Sequence, residues 1–495
     1  MNFTKNEKAL SRREFLVRAE MGVAGAYLAL AGMSDAAAVP PNAPNIIFIM
    51  ADDLRYDAIG CLGNPPWLKT PNLDRLVNEG MLFRNAFCTT SLSGPSRASF
   101  LTGEYAHKTG IVNNFTEFSE KNTTFPSRLQ KGGYDTAFIG KWHMDQQNEP
   151  QPGFNKWVSF PGQGEYTNPV LNVDGEEFKH SGYLSDILNG YASNFILKQA
   201  GEKNPFCLYL CHKAVHDMLI PEPSHAKLYE KETYPLPPNA HYDLKGKPNC
   251  VRERSEIAAD LSFPPDPEKW QEETRQYYRC LACIDEGVGM FLKTLEEIKK
   301  QDDTIIILTS DNGYFLGEHG LRGKRFAYEA SIRIPFVAYY PKMIKPGSVC
   351  DEMILNIDVT PTMLELADRR FPKGIQGKSF KPLLEGKDKK WREDFLYHYH
   401  LDVDISKMTP QEKDDFYKKW KDLGVDPQTL LVPENLAVRS KEWKYITYPG
   451  INETDELYNL VKDPYEMENL ISDPAYAYIV AEMKDRLEKL VKDTD

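Results

Sequence analysis

Asn45-Ile46-Ile47-Phe48-Ile49-Met50-Ala51-Asp52-Asp53 is the stretch whose pattern sets the fold. Residues 45–50 carry no charge and show no polar–apolar alternation. A strand with one wet face alternates, whereas a strand covered on both faces does not. The segment therefore reads as a strand inside a sheet, and the two aspartates mark where the chain leaves the interior. Runs at 136–139, 206–210, 304–309 and 335–340 have the same character. Helical patterns lie between them at 71–79, 184–199, 271–300 and 359–367. Such alternation predicts an α/β fold, a mostly parallel sheet sandwiched by helices.

In sheets of this kind, ligand groups collect beyond the carboxyl ends of the strands. Asp52-Asp53 follows one strand there, and Asp311-Asn312-Gly313 follows another, 304–309. Like charges side by side at the edge of an apolar interior are costly, and a hard cation bound through oxygen relieves them. No His or Cys adjoins either pair, which favours calcium or magnesium over zinc. An isolated Asp-Asp pair reads equally well as a turn or a helix cap. The two pairs at two strand ends favour the metal reading.

The chain of 495 residues suits one large α/β domain plus a smaller one. We place the large unit at 44–386 and a C-terminal α+β unit at 392–495, after a charged linker near 387–391. Patterns at 395–399, 437–439 and 443–448, with a final helix near 475–492, suggest a small antiparallel sheet with a packed helix. Residues 218–267 are rich in proline and charge and read as an irregular rim of the site. The formal net charge of −12 excludes a broad nucleic-acid surface. It also means that an anionic substrate needs a local cationic pocket.

Residues 1–38 read as an export signal rather than fold. Ser11-Arg12-Arg13-Glu14-Phe15-Leu16 is followed by an apolar run at 21–33 and by Ala36-Ala37-Ala38. The run is short for a membrane span, and the paired arginines resemble the twin-arginine signal. The expected destination is periplasmic or extracellular, with the export machinery as a partner. The competing reading is a charged tail before a membrane anchor. Eight cysteines are few for a disulfide scaffold of this size. A zinc cluster of Cys207, Cys211, Cys280 and Cys283 is conceivable, but packed thiols are the better reading.

The segment with the most chemistry is Ser91-Leu92-Ser93-Gly94-Pro95-Ser96-Arg97-Ala98-Ser99-Phe100-Leu101-Thr102-Gly103. Pro95 suits a first helical turn, a helix N-terminus favours a developing anion, and Arg97 lies within one turn of Ser93. A plain serine-rich N-cap gives the same pattern. Ser93-Gly94-Pro95-Ser96-Arg97 with Leu101-Thr102-Gly103 resembles the motif of the bacterial-type, formylglycine-dependent type I sulfatases of the alkaline-phosphatase superfamily. Gly140-Lys141-Trp142-His143, Lys213-Ala214-Val215-His216, Asp311-Asn312-Gly313-Tyr314, Gly317-Glu318-His319-Gly320 and Gly323-Lys324-Arg325 follow in family order. The resemblance runs over 45–495.

That resemblance implies hydrolysis of a sulfuric ester. It implies that Asp52, Asp53, Asp311 and Asn312 bind one divalent cation, usually Ca2+, with an oxygen from position 93. It implies that Ser93 is oxidised to 3-oxoalanine, the formylglycine whose hydrate attacks sulfur. Arg97 and Lys141 would steady that nucleophile, and His143 would take a proton from it. His216 and Lys324 would bind the sulfate and assist the leaving alcohol. His319 and Arg322 are weaker candidates for substrate contact. Many relatives carry Cys where this chain has Ser93, and serine precursors imply a radical-SAM maturating enzyme as a cytoplasmic partner before export. Pro152-Gly153-Phe154-Asn155-Lys156-Trp157 and Gly182-Tyr183-Leu184-Ser185-Asp186 resemble the N-acetylglucosamine-6-sulfatase branch, which implies a sulfated saccharide substrate.

Two other classes compete. A phosphoester hydrolase or phosphotransferase of the same superfamily would use unmodified Ser93 and a second metal, whose extra ligands are not evident in the sequence. A non-catalytic protein binding sulfated glycans would keep the pocket without turnover. Mass spectrometry of the Ser93 peptide, from protein coproduced with a radical-SAM maturase, should show the loss of two hydrogens. Turnover by protein whose Ser93 is wholly unmodified would refute the proposed nucleophile.

Overall fold

A computed structural model of the chain describes residues 40, 42–240, 244–260, 267–387, 390–401, 408–422 and 431–495. The export signal read at 1–38 lies outside the described residues. Ten strands among them form one sheet. Five central strands lie side by side in the order Thr304–Ser310, Asn45–Ala51, Phe206–Cys211, Asp135–Lys141 and Lys156–Phe160, all parallel. Registers such as Ile47 opposite both Leu208 and Ile306 align the strand ends.

Alternation now explains why these runs are apolar throughout. Ile46, Phe48 and Met50 face one layer with Ile305, Ile307, Cys207 and Tyr209. Ile47 and Ile49 face the other with Ile306, Leu308, Leu208 and Leu210. The helices Ser93–Thr102, Phe125–Lys131 and Val359–Leu366 cover the first face. Pro71–Glu79, Leu184–Lys198 and the long Pro267–Glu297 cover the second. Each such side chain taken fully from water stabilises the fold by roughly 1.5–3 kcal/mol before the entropy of ordering it is counted.

The edges depart from the parallel pattern. Phe336–Tyr339, within the run read at 335–340, is antiparallel to Thr304–Ser310, and Met81–Phe83 is antiparallel to it in turn. Val170–Val173 and Glu176–Lys179 add an antiparallel hairpin at the other edge. A doubly buried strand looks apolar whichever way it runs, so direction was not readable from the run. Residues 218–267 were expected to be irregular, yet they include a helix, Asn249–Asp260. Its first amides are capped from far away: Asn249 N and Cys250 N donate to the Glu453 carboxylate at 2.7 and 3.1 Å.

The four cysteines considered for a zinc cluster do not assemble. Cys207 and Cys211 pack on one face of the sheet, and Cys280 and Cys283 pack on the other. All eight cysteines are unpaired, and burial pushes the Cys280 thiol up to about 12.

The C-terminal region is a four-stranded antiparallel sheet, Asp394–Tyr399, Asn435–Ser440, Trp443–Thr447 and Glu456–Asn459, with the helix Ala477–Thr494 against it. A buried ion network docks it on the larger unit. Lys444 Nζ lies 2.8 Å from Glu329 and 2.6 Å from Glu466, and Arg439 lies 3.3 Å from Glu329. Despite burial, Arg439 and Lys444 hold the Glu329 carboxyl well below the usual range, which marks it as charged and fully paired.

Gly140 makes the approach between two central strands possible. Its φ is +114°, and a Cβ there would sit 1.8 Å from the Cys211 carbonyl oxygen. Gly110 also has a positive φ, +79°, but open space around it. Gly140→Ala should therefore cost more than about 3 kcal/mol in urea unfolding, while Gly110→Ala should cost only about 1–2 kcal/mol. Similar costs for both variants would show that the close contact at Gly140 is unimportant.

Candidate active site

Ala51 and Ser310 are register partners at the ends of adjacent parallel strands. Asp52-Asp53 and Asp311-Asn312 therefore emerge side by side, although about 260 residues separate them in sequence. Asp53 N donates to Asp311 Oδ1 at 3.0 Å, and Asn312 Nδ2 donates to Asp53 Oδ1 at 2.6 Å. All four residues are buried.

Ser93 opens the Ser93–Thr102 helix, every residue of which is buried. Gly94 N donates to Asn114 Oδ1 at 2.9 Å, and a Cβ on Gly94 would meet the His143 carbonyl at 3.1 Å. Two contacts anchor this helix to the sheet end: Ser96 Oγ donates to the Asp311 carbonyl at 2.5 Å, and Asn356 Nδ2 donates to Ser96 Oγ at 3.1 Å. Ser93 Oγ donates to Asp52 Oδ1 at 3.4 Å and accepts from Lys324 Nζ at 3.0 Å.

Three cations interleave with the acids. Arg97 donates twice to Asp311 Oδ2, at 3.0 and 3.1 Å, and lies 3.6 Å from Asp52. Lys141 pairs with Asp52, and Lys324 pairs with Asp53. His216 Nε2 lies 3.8 Å from Asp53 Oδ2. His143 and His216 each have an Nδ1 with no hydrogen-bond partner among the described residues. Burial, reinforced by the surrounding cations, holds both imidazoles well below the usual histidine range, so both are neutral near pH 7.

The acids are uneven. Against the penalty of burial, Lys141, Arg97 and Lys324 hold Asp52 well below the usual carboxylate range. Burial pushes the Asp53 carboxyl up to about 7; Lys324 opposes the shift, and Asp52 and Asp311 add to it. Burial also pulls Lys141 down to about 8, against the attraction of Asp52.

The residues present fit a hard divalent cation. Three carboxylates converge, and Asn312 Oδ1 is buried without a hydrogen-bond partner among the described residues. Oxygen donors of this kind suit calcium or magnesium. One inference from sequence needs correction. No histidine adjoins the acid pairs along the chain, but the fold brings one to them, because Asp52, Asp53 and His216 each offer a ligand atom within 4.8 Å of the others.

The fold thus gathers Asp52, Asp53, Ser93, Arg97, Lys141, His143, His216, Asp311, Asn312 and Lys324 around one point. His319 and Arg322 have other partners: the His319 ring packs 4.3 Å from that of Tyr328, and Arg322 pairs with Glu273. Sequence reasoning missed Gln163, whose Oε1 accepts from Lys141 at 2.6 Å. Its only signal was a turn flanked by Gly162 and Gly164, both at positive φ. It also passed over Lys213, which is buried with its Nζ 4.8 Å from the Tyr166 ring.

A family profile described as Sulfatase matches residues 44–369, well over half of the chain. The chain belongs to the sulfatase family. It is a sulfuric ester hydrolase with the alkaline-phosphatase-like fold. A second profile, described as N-sulphoglucosamine sulphohydrolase, C-terminal, matches residues 403–493. The N-acetylglucosamine-6-O-sulfatase of Bacteroides thetaiotaomicron is 33% identical over 95% of this chain and 90% of its own length. An ulvan-active sulfatase of Formosa agariphila is 27% identical over 91% of this chain and 81% of its own. A solved structure in complex with its substrate D-glucosamine-2-N,6-O-disulfate superposes with a TM-score of 0.79 at 32% identity, covering 91% of this chain and 98% of that one.

If the oxygen donors hold a cation, binding and folding are linked. Added Ca2+ should raise the melting temperature, with a gain of about 2.7 kcal/mol at a hundred times Kd, and a chelator should reverse it. Asp53→Asn and Asn312→Ala should lose that gain in calorimetry. An unchanged response in both variants would place the ion elsewhere.

Proposed function

We propose that this sulfatase removes a 6-O-sulfate from a glucosamine-type sugar in a sulfated glycan. The reading rests on one geometric observation: the Ser93 hydroxyl lies between Lys324 and Asp52, at the focus of three buried cations and three carboxylates. The similarity over almost the whole chain to an N-acetylglucosamine-6-O-sulfatase supports the choice of sugar. The local cations answer the electrostatic problem posed by a chain of net charge −12.

In this reading, the 3-oxoalanine derived from Ser93 supplies a nucleophile that can release sulfate without a second attack at sulfur, and a bound Ca2+ supplies positive charge beside it. The chain's own residues do the rest. Arg97 fixes Asp311 in a two-point grip and so orients the oxygen donors. Lys141, held between Asp52 and Gln163, places its charge beside position 93. Neutral His143 accepts a proton from that position, a role for which a base kept unprotonated is suited. Lys324 and His216 receive the sulfuryl oxygens and support the departing alcohol oxygen. Maturation by a radical-SAM enzyme in the cytoplasm, followed by twin-arginine export of the folded chain, belongs to the same proposal.

The test is sulfate release by protein coproduced with a maturase. Glucosamine-6-O-sulfate should be hydrolysed in preference to 2-O- and 3-O-sulfated sugars. An aryl sulfate should outpace the matching aryl phosphate. Ser93→Ala should lower kcat/KM by roughly a thousandfold or more while leaving the melting temperature within a few degrees. Preference for the phosphate, retained by unmodified protein, would replace this reading with the phosphoester hydrolase. Preference for another sulfate position would overturn the sugar assignment alone.

A further inference from the structure

A second cluster of metal-ligating side chains lies where the C-terminal region meets the larger unit. His107 is on the short helix Ala106–Thr109, which follows the far end of the helix that Ser93 opens. His398 and His400 come from the Asp394–Tyr399 strand and the residue just after it. The two are spaced i, i+2, which places side chains on the same face of an extended chain. Each of the three imidazoles offers a ring nitrogen within 4.8 Å of the others. The rings of His398 and His400 are 3.6 Å apart.

The surroundings are those of a ligand set. His398 Nε2 lies 2.7 Å from Glu434 Oε1, and His400 Nδ1 lies 3.8 Å from the same oxygen. The His107 ring is held at Nε2 by the Thr494 carbonyl, at 2.9 Å. Carboxylate and carbonyl partners of this kind fix the tautomer and orientation of metal-binding imidazoles. The His400 Nε2 is buried and has no hydrogen-bond partner among the described residues. Several polar contacts thus orient the rings, and one nitrogen has no use in the structure as it stands.

We propose that His107, His398 and His400 bind a borderline divalent cation of the zinc class. Three nitrogens and no converging carboxylate triad set this site apart from the oxygen-rich one at Asp52, Asp53, Asp311 and Asn312. Imidazole selects zinc, nickel or copper, whereas calcium takes oxygen. Zinc–nitrogen bonds of ~2.0–2.1 Å hold tetrahedral ligands roughly 3.3–3.4 Å apart, so small side-chain rotations close the cluster on an ion. The bound ion clamps three pieces of chain: the Ala106–Thr109 helix, the Asp394–Tyr399 strand and, through the Thr494 carbonyl, the C-terminal helix. The His398 amide donates to the Thr89 carbonyl at 2.9 Å, four residues before Ser93, so the clamp also bears on the segment leading into the catalytic helix.

The experiment uses the full chain with Ca2+ in excess, so that the oxygen donors are satisfied, and titrates it with Zn2+ in equilibrium dialysis. One equivalent should bind with Kd in the micromolar range or below. Co2+ in its place should give the intense visible absorption of a four- or five-coordinate nitrogen site. His398→Ala/His400→Ala should lose that equivalent, and Glu434→Gln should bind about 10–100-fold more weakly. Aryl sulfate turnover in these variants should persist, showing that they fold. A second measurement needs no variant: Zn2+ should protect the peptides containing His107, His398 and His400 from diethyl pyrocarbonate. Undiminished zinc binding in the double variant, or equal labelling with and without Zn2+, overturns the proposal.

Discussion

Six buried charges at one end of the sheet govern the rest of the site. Asp52, Asp53 and Asp311 against Arg97, Lys141 and Lys324 form an alternating cluster from which water is almost wholly excluded. Burying any one of these groups alone would cost several kcal/mol, and breaking a buried pair strands the partner. The cluster is therefore all or nothing. Each member needs the others in place, and the six come from five separate segments of the chain. The strand ends supply Asp52, Asp53, Asp311 and Lys141, the buried helix supplies Arg97, and the segment after a short hairpin supplies Lys324.

The cluster balances charge without satisfying every atom. Asn312 Oδ1 and the Nδ1 atoms of His143 and His216 have no partners among the described residues, and Asp53 holds a proton more readily than Asp52. A purely structural network would close these gaps, because an unpaired buried polar group is costly. Three such atoms beside one serine hydroxyl leave donors and acceptors there for a ligand.

A second layer of buried charge steadies the first from behind. Glu329, Arg439, Lys444 and Glu466 join the small antiparallel sheet to the larger unit. From the same sheet, the Tyr397 hydroxyl donates to the Arg325 carbonyl at 2.7 Å and accepts from Ser91 N at 3.3 Å. The C-terminal region thereby touches the residue next to Lys324 and the loop that leads into Ser93. It is part of the wall of the catalytic unit rather than an appendage.

The sequence by itself determined the strands, the pairs of oxygen donors and the serine-bearing helix. Those are local statements: apolar runs without alternation, charges at their ends, a proline and glycine where a helix begins. The ordered motifs also pointed to ten side chains that the structure brings to one place. Tertiary structure alone decided what depends on contacts between distant residues. Gln163 reaches Lys141, His216 reaches Asp53, and Glu453 caps a helix some 200 residues before it. The antiparallel course of Phe336–Tyr339 and the meeting of His107 with His398 and His400 belong to the same class. Composition and period record which surfaces a segment buries. They do not record which surface it is buried against, because that is fixed by the simultaneous packing of all the elements.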